Sequence, residues 1–423
     1  MKKTKKFYVL FIFFTFLILA IFLLLNNKQF LYKKLYQTFF KLPDPVKSIF
    51  MIVSGRRSFS NVFNDYNVKF LPETQFLNID FQRKKTDVEG GKVLWDKFNF
   101  SYNDRRTFFL EVFKDQVLII SKNGYFYKTN INNLNQKNKN LNYFTFKTNI
   151  KFKYILDTLI IKNKIYISTY SEINDCISLE IYDSDINTYL NFKIFKKFKE
   201  CGNHGMGGGR MQPYKLNNKN GILLSTSDLE QDAPTNKPQE DNSIFGKLLF
   251  INVEDKEYEI FSKGHRNIQG LVVEDNLILS TEHGPRGGDE LNKIIYKSNY
   301  GWPIASYGES YKKSSKLKYL KNHIDNGFVE PIYAFVPSIG ISELLIVPDD
   351  FDNNWKNSLL VTSLNGRSIY IIKFQSKKFN KIIYIEPIFI GERIRDIKYI
   401  EKINAFIIAL ERTGDIGILK KIN

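Results

Sequence analysis

Cysteine, histidine, methionine and tryptophan are scarce in this 423-residue chain, which has 2 Cys, 4 His, 4 Met and 3 Trp. Two cysteines exclude a disulfide-dense scaffold. Four histidines leave few candidates for a base that works near neutral pH. Acidic residues are in deficit, 44 against 62 Lys and Arg, for a formal net charge of +18. The lysines are scattered among asparagines and form no single stripe, which argues against a nucleic-acid partner. They read as solvated sheet edges, where lysine discourages edge pairing, with some attraction to an anionic membrane surface. Helical periodicity is also sparse beyond residue 60.

Long apolar runs are limited to one. After MKKTKK, Phe7 to Leu25 is 19 residues without a charge, close to the thickness of a bilayer core at about 1.5 Å per residue. Asn26, Asn27 and Lys28 follow in place of a small-residue cleavage site, so residues 1–28 predict a cytoplasmic tip and an uncleaved transmembrane signal anchor. The other reading is a signal peptide cut at an atypical site. The lysines before the run predict a single-pass membrane protein with everything beyond it on the periplasmic or extracellular side. Residues 29–60 mix basic and aromatic side chains and read as a membrane-proximal linker, either amphipathic or plainly helical up to Pro43 and Pro45.

What is abundant is aromatic and strand-forming: 37 Phe and 24 Tyr in all. A short apolar strand ending in small hydroxyl residues recurs, as VLIIS at Val117, IYIST at Ile165, ILLST at Ile222, LILST at Leu277 and LLVTS at Leu359. AFIIAL at Ala405 is a sixth variant. Each copy follows another strand across a polar turn, and most precede a third. Strand-turn-strand repeated six times argues for radial blades over residues 61–423. The longest insertion falls between Leu277 and Leu359, where loops of a functional face are expected. Cys176 opens the strand CISLEIYD and Cys201 closes KFKEC. In an oxidising compartment they read as a disulfide fastening the segment that leads to His204, or else as two buried thiols.

Polar residues concentrate in Gly-rich turns between Lys263 and Pro303. Around Gly284, Pro285, Gly287 and Gly288 the backbone is irregular, so carbonyls turn outward beside Asp289 and Glu290 and offer the hard oxygen donors that calcium prefers. The ordered run GHRN-x-QGL, EHGP-x-GGDE-x-N and NYGWP resembles the glucose/sorbosone dehydrogenase family, which includes soluble aldose dehydrogenases using pyrroloquinoline quinone (PQQ) and calcium. The resemblance implies an all-β, six-bladed β-propeller, here preceded by one N-terminal transmembrane helix.

The resemblance also implies a site. His204, before Gly209 and Arg210, matches the family's catalytic histidine, with one extra glycine in the interval; the alternative is a turn cap. Arg266 and Asn267 match a cofactor-contacting pair, and Arg393 and Arg395 a second arginine pair. Guanidinium forks suit a quinone bearing three carboxylates, and a spacing of two turns both arginines of a strand to one side. Ser338 matches a small hydroxyl near the cofactor and His283 a cofactor neighbour. The carbonyls of Gly284 and Pro285 are implied calcium ligands with Asp289 close by, and Glu290 serves a second calcium or holds the loop. Where soluble glucose dehydrogenases carry a cofactor lysine this chain has Asn365, with Arg367 two residues on as a substitute. His265 reads as a packing residue and His323 as solvated surface.

These readings converge on a membrane-anchored, PQQ-dependent oxidoreductase acting on an aldose or related small polyol. Its partners would be the sugar and an electron acceptor in or near the membrane. Two other classes stay open: a non-catalytic propeller that binds carbohydrate or a protein partner, and a metal-dependent hydrolase.

Overall fold

The computed structural model describes residues 69–70, 79–86, 106–136, 140–173, 176–202, 207–228, 235–311 and 318–421. Among them, six sheets, each with four antiparallel strands, form the blades of a propeller, and one gains a fifth strand, Lys69–Phe70, paired parallel with Ile382–Phe389. Blade 1 is Phe108–Phe113, Gln116–Ser121, Phe126–Asn130 and Phe144–Thr145. Blade 2 is Ile155–Ile161, Lys164–Ile173, Cys176–Asp185 and Lys193–Gly202. Blade 3 is Gly208–Leu216, Lys219–Thr226, Lys247–Asn252 and Tyr258–Lys263. Blade 4 is Ile268–Glu274, Leu277–Glu282, Asp289–Lys293 and Tyr333–Phe335. Blade 5 is Ile341–Ile346, Ser358–Ser363, Ser368–Phe374 and Ile382–Phe389.

Blade 6 takes Ile394–Ile400, Ala405–Leu410 and Ile416–Lys421 from the C-terminal end of the chain. Its outermost strand, Ile79–Lys84, comes from the other end and pairs antiparallel with Ile416–Lys421, Asp80 opposite Lys420 and Lys84 opposite Ile416. Each blade's first strand packs against that of the next, and the sixth packs against the first, so the ring is closed.

The six recurring motifs are the second strands of the six blades. Their continuous apolar runs follow from burial on both faces. In blade 1, Val117 and Ile119 pack into the cluster shared with blade 6, while Leu118 and Ile120 pack into the cluster shared with blade 2. In blade 6, Phe406 and Ile408 face blade 5, and Ala405 and Ile407 face blade 1. The hydroxyls that end these strands bind across inner strands. Ser168 Oγ donates to Gly209 O of the next blade at 2.6 Å, and Thr362 Oγ1 donates to Glu343 O at 3.0 Å. Cys176 and Cys201 form a disulfide, with Cα atoms 5.5 Å apart, between the third and fourth strands of blade 2.

Charged residues fill the axis. The first strands of five blades supply Glu111, Asp157, Arg210, Glu343, and the pair Asp396 and Lys398. Arg210 Nη1 lies 2.8 Å from Asp157 Oδ1 and 2.9 Å from Glu343 Oε2. Lys398 Nζ lies 3.5 Å from Glu111 Oε1. Asp396 accepts from the Leu110 and Ile397 amides at 2.7 and 2.8 Å. Four carboxyls against two bases in a buried space disfavour full ionisation. Burial pushes Glu111 up to about 7, further raised by Asp396 and Asp157 and opposed by Lys398.

The expected single-pass membrane placement is overturned. Among the described residues no helix is long and apolar enough to cross a membrane. The α-helix present there, Ile131–Asn135, has 5 residues, where a span needs about 20. The run Phe7 to Leu25 and the linker 29–60 lie outside the described residues.

A titration follows from Glu111. Its folded value is about 7 against an ordinary 4.5, so between those limits the folded chain keeps a proton that the unfolded chain has released. Stability therefore falls as pH rises across that window, by up to about 3 kcal/mol. Chemical unfolding measured across it should show the decline, and Glu111→Gln should lessen it, leaving the part due to Glu343, which burial also pushes up to about 7.

Candidate functional site

Neighbouring strands run in opposite directions, so the start of a blade's first strand and the link between its second and third strands lie on one face. His265, Arg266 and Asn267 precede the first strand of blade 4, Ser338 that of blade 5 and Arg393 that of blade 6. Residues 283–288 link the second and third strands of blade 4, and 364–367 do so in blade 5. These loops are bonded to one another: His283 N donates to Asn267 O, Asn365 N to Ile339 O, and Gly391 N to Arg367 O, each at 3.0 Å. Residues 294–311 and 318–332, the described parts of the long insertion of blade 4, fold back over this face. Trp302 N donates to Gly264 O at 2.9 Å, and Arg286 exchanges backbone bonds with Glu309.

Glu282, at the end of a blade 4 strand, fixes the turn that carries Arg266 and Asn267. Its Oε2 lies 3.0 Å from His265 Nδ1, and its Oε1 accepts the amides of Arg266 and, at 3.3 Å, Asn267. His265 Nε2 meets Ser262 Oγ at 2.8 Å, and the ring stacks on Tyr300 with centroids 4.5 Å apart. His265 thus packs, as expected, and also props the turn. From that turn Arg266 Nη1 donates to His283 O at 3.1 Å and Gly284 O at 2.9 Å. Its guanidinium sits 5.3 Å over the Trp302 ring, whose Nε1 donates to Asp228 Oδ2 at 2.6 Å. Arg266 Nε is buried without a hydrogen-bond partner among the described residues.

A hydrogen-bonded array crosses the mouth. Asn267 Oδ1 accepts from Gly208 N of blade 3 at 2.9 Å and from Gln269 Nε2 at 2.8 Å. Gln269 Oε1 accepts from Arg395 Nη1 of blade 6 at 3.2 Å. Arg395 Nη2 and Arg393 Nε both bind the buried Glu411, Arg395 at 2.7 Å and Arg393 at 2.5 Å, and Thr107 Oγ1 donates to the same carboxylate at 2.7 Å. Burial opposes ionisation of Glu411, but the Arg395 and Arg393 guanidiniums hold it well below the carboxylate range. The two arginines do face one way, and one of their two charges is cancelled in place.

On blade 4, Asp289 Oδ1 accepts Gly284 N at 3.2 Å and lies 3.7 Å from His283 Nδ1, while Oδ2 accepts Ile341 N of blade 5 at 2.9 Å. Burial opposes the charge on Asp289, yet His283 and the Ile341 amide keep the carboxylate below its usual range. Glu290 is raised well above its usual range by burial and the nearby Glu282 carboxylate. The surface reading of His323 is wrong. Its side chain is 1% exposed, with Nε2 3.6 Å from Glu290 Oε1 and its ring against Tyr307. The insertion folds inward there, and burial lowers the His323 pKa.

Donor chemistry on this face suits both expected groups. The carbonyls of His283 and Gly284 with the Asp289 carboxylate are hard oxygens, and they already face a cation, the Arg266 guanidinium. For a multiply charged anion there are the Arg266 Nε and the partly exposed Arg393 and Arg395. Asn365 is exposed and Arg367 half-buried at the adjoining blade 5 turn. His204 lies outside the described residues. Just beyond it, Gly207 O accepts from Tyr170 Oη at 2.6 Å. Glu411 and Asp228 had no sequence signal, because each acts through a strand distant in the chain. Gln269, Glu282 and Trp302 stood inside the family motifs without an assigned role.

Fold and site define a six-bladed propeller with an arginine-bearing mouth beside an oxygen-lined seat. The glucose/sorbosone dehydrogenase family profile matches residues 189–418, more than half of the chain, and the chain belongs to that family. An uncharacterized protein of Synechocystis is 33% identical over 40% of this chain and 44% of its own length. The Escherichia coli aldose sugar dehydrogenase YliI is 26% identical over 56% of this chain and 67% of its own length. In structure, the soluble E. coli aldose sugar dehydrogenase in its apo form superimposes with a TM-score of 0.64 at 17% identity, over 81% of this chain and 100% of that one. The PQQ-bound aldose sugar dehydrogenase of Streptomyces coelicolor gives 0.53 at 15% identity, over 81% of this chain and 98% of that one. These structural likenesses establish the fold.

Removing the Glu411 carboxylate strands two guanidiniums and the Thr107 hydroxyl. Glu411→Ala should lower stability by about 3–5 kcal/mol in urea unfolding, and Glu411→Gln, which keeps an acceptor, by less.

Proposed function

We propose that this protein is a PQQ- and calcium-dependent dehydrogenase that oxidises the anomeric or primary hydroxyl of an aldose or related small polyol and passes the electrons to a separate acceptor. The observation that carries the reading is the buried Arg266, one nitrogen unpartnered, resting on the carbonyls of His283 and Gly284 on the face that also carries the Arg393–Arg395 pair. Family membership and the aldose sugar dehydrogenase among the relatives support it.

When bound, the quinone supplies an electrophilic carbonyl that accepts hydride, and calcium increases its electrophilicity. In this reading Arg266, Arg393 and Arg395 hold the quinone's carboxylates, the forked guanidiniums fixing its plane as well as its charge. Asn267, His283, Ser338, Asn365 and Arg367 contact it from the surrounding turns. Gly284 and Pro285 carbonyls with Asp289 hold the metal, and Glu290, beside His323, holds a second ion or the loop. His204 takes the proton of the substrate hydroxyl as its hydride leaves. The charged axis below the mouth closes the channel at that level, so sugar enters and leaves from the loop face.

Reconstitution with PQQ and calcium, followed by dye reduction over a panel of sugars, tests the proposal. Turnover that requires both additions is expected, and His204→Ala should lower kcat by about 100-fold or more while PQQ still binds. Absence of PQQ-dependent reduction with every sugar would overturn it.

A further inference from the structure

The seat assigned to calcium already holds a cation of the protein's own. Arg266 Nη1 donates to the His283 carbonyl at 3.1 Å and the Gly284 carbonyl at 2.9 Å. Behind them Asp289 is held as a carboxylate, with Oδ1 on the Gly284 amide at 3.2 Å. Arg266 itself is 8% exposed, its Nε has no hydrogen-bond partner, and no carboxylate is paired with its guanidinium among the described residues. Carbonyl oxygens are weak compensation for a buried guanidinium, so this arrangement is satisfied only in part. A divalent ion on the Gly284 carbonyl cannot share that space with the guanidinium, because like charges at contact distance repel strongly in a buried site.

We propose that Arg266 is an internal competitor for the cation seat: a divalent ion binding the Gly284 carbonyl displaces its guanidinium, which then becomes available to a carboxylate-bearing ligand. This rests on the quinone reading and adds an order of events to it. Metal binding costs the Arg266–carbonyl bonds, and the anion recovers that cost by pairing with the released guanidinium. Metal and anion are then positively linked through one side chain, and by thermodynamic reciprocity each tightens the other. The sign of the effect separates this from an ordinary supporting role. A residue that only props the seat weakens metal binding when removed, whereas a competitor strengthens it.

The test is calcium titration of the full chain by calorimetry, without quinone, for the wild type, Arg266→Gln and Arg266→Met. Competition predicts calcium binding roughly tenfold or more tighter in both variants, the factor expected on removing a charge-assisted bond that the metal must break. Equal or weaker binding in the variants, or no calcium binding by any of the three, overturns the proposal. A wild-type readout guards against misfolded variants. The guanidinium lies 5.3 Å from the Trp302 ring centroid, so calcium should change tryptophan emission in the wild type and not in Trp302→Phe. An unchanged wild-type signal counts against displacement. PQQ titration with and without calcium then separates the two claims. Linkage predicts that calcium tightens PQQ binding in the wild type, and by a smaller factor in the variants. PQQ binding without the calcium effects would sink the competitor alone. Competition for calcium in a protein that never binds PQQ would sink the quinone reading and leave the competitor standing.

Discussion

A ring of sheets stays shut only if its ends are joined, and in this protein the main joint is an antiparallel strand pair, Ile79–Lys84 against Ile416–Lys421, with Lys69–Phe70 added in parallel to blade 5. Everything on the loop face depends on it. Arg393, Arg395 and Glu411 belong to the blade that this pair completes, and their partners Thr107 and Gln269 belong to blades 1 and 4. An open ring would let blade 6 swing away from blade 1 and would separate Glu411 from Thr107. The closing bonds are main-chain bonds, so they place few demands on side chains.

Inside the ring, charge is handled differently at two levels. Along the axis, acids outnumber bases, and burial keeps Glu111 near 7. At the mouth the balance reverses. Arg393 and Arg395 share Glu411, and Arg266 rests on carbonyls, so positive charge remains on the face where an anion would arrive. Glu282 plays the quieter part: by accepting from His265, Arg266 and Asn267 it sets the turn from which two of the site's side chains project. At both levels the carboxylates are met by donors from the chain itself, whereas Arg266 Nε at the mouth has no hydrogen-bond partner among the described residues.

Much of the frame was legible in the chain. The six recurring strands are the second strands of six blades because that position is buried on both sides, which leaves a short, uninterrupted apolar run such as VLII at Val117. Of the outermost strands only that of blade 2 was read in part, as KFKEC. These strands are half exposed, as in Lys193–Gly202, and mix lysine with apolar residues in no steady rhythm. The membrane placement, read from one apolar run outside the described residues, has no support among them, and His323 was misjudged because a polar insertion says nothing of the direction in which it folds.

By itself the sequence determined the blade count, the second strands and the motifs of blade 4, since these depend on local pattern: apolar period, turn glycines and the order of a few polar residues. It also placed Arg393 and Arg395 on one side of a strand. Only the tertiary structure decided that Glu411 holds both arginines, that Gln269 and Asn267 join blade 6 to blade 3 across the mouth, and that Arg266 rests on the carbonyls of His283 and Gly284. The physical reason is that hydrogen bonds and ion pairs act over about 3 Å in space, and residues 126 or 59 positions apart reach that distance only after the ring has closed.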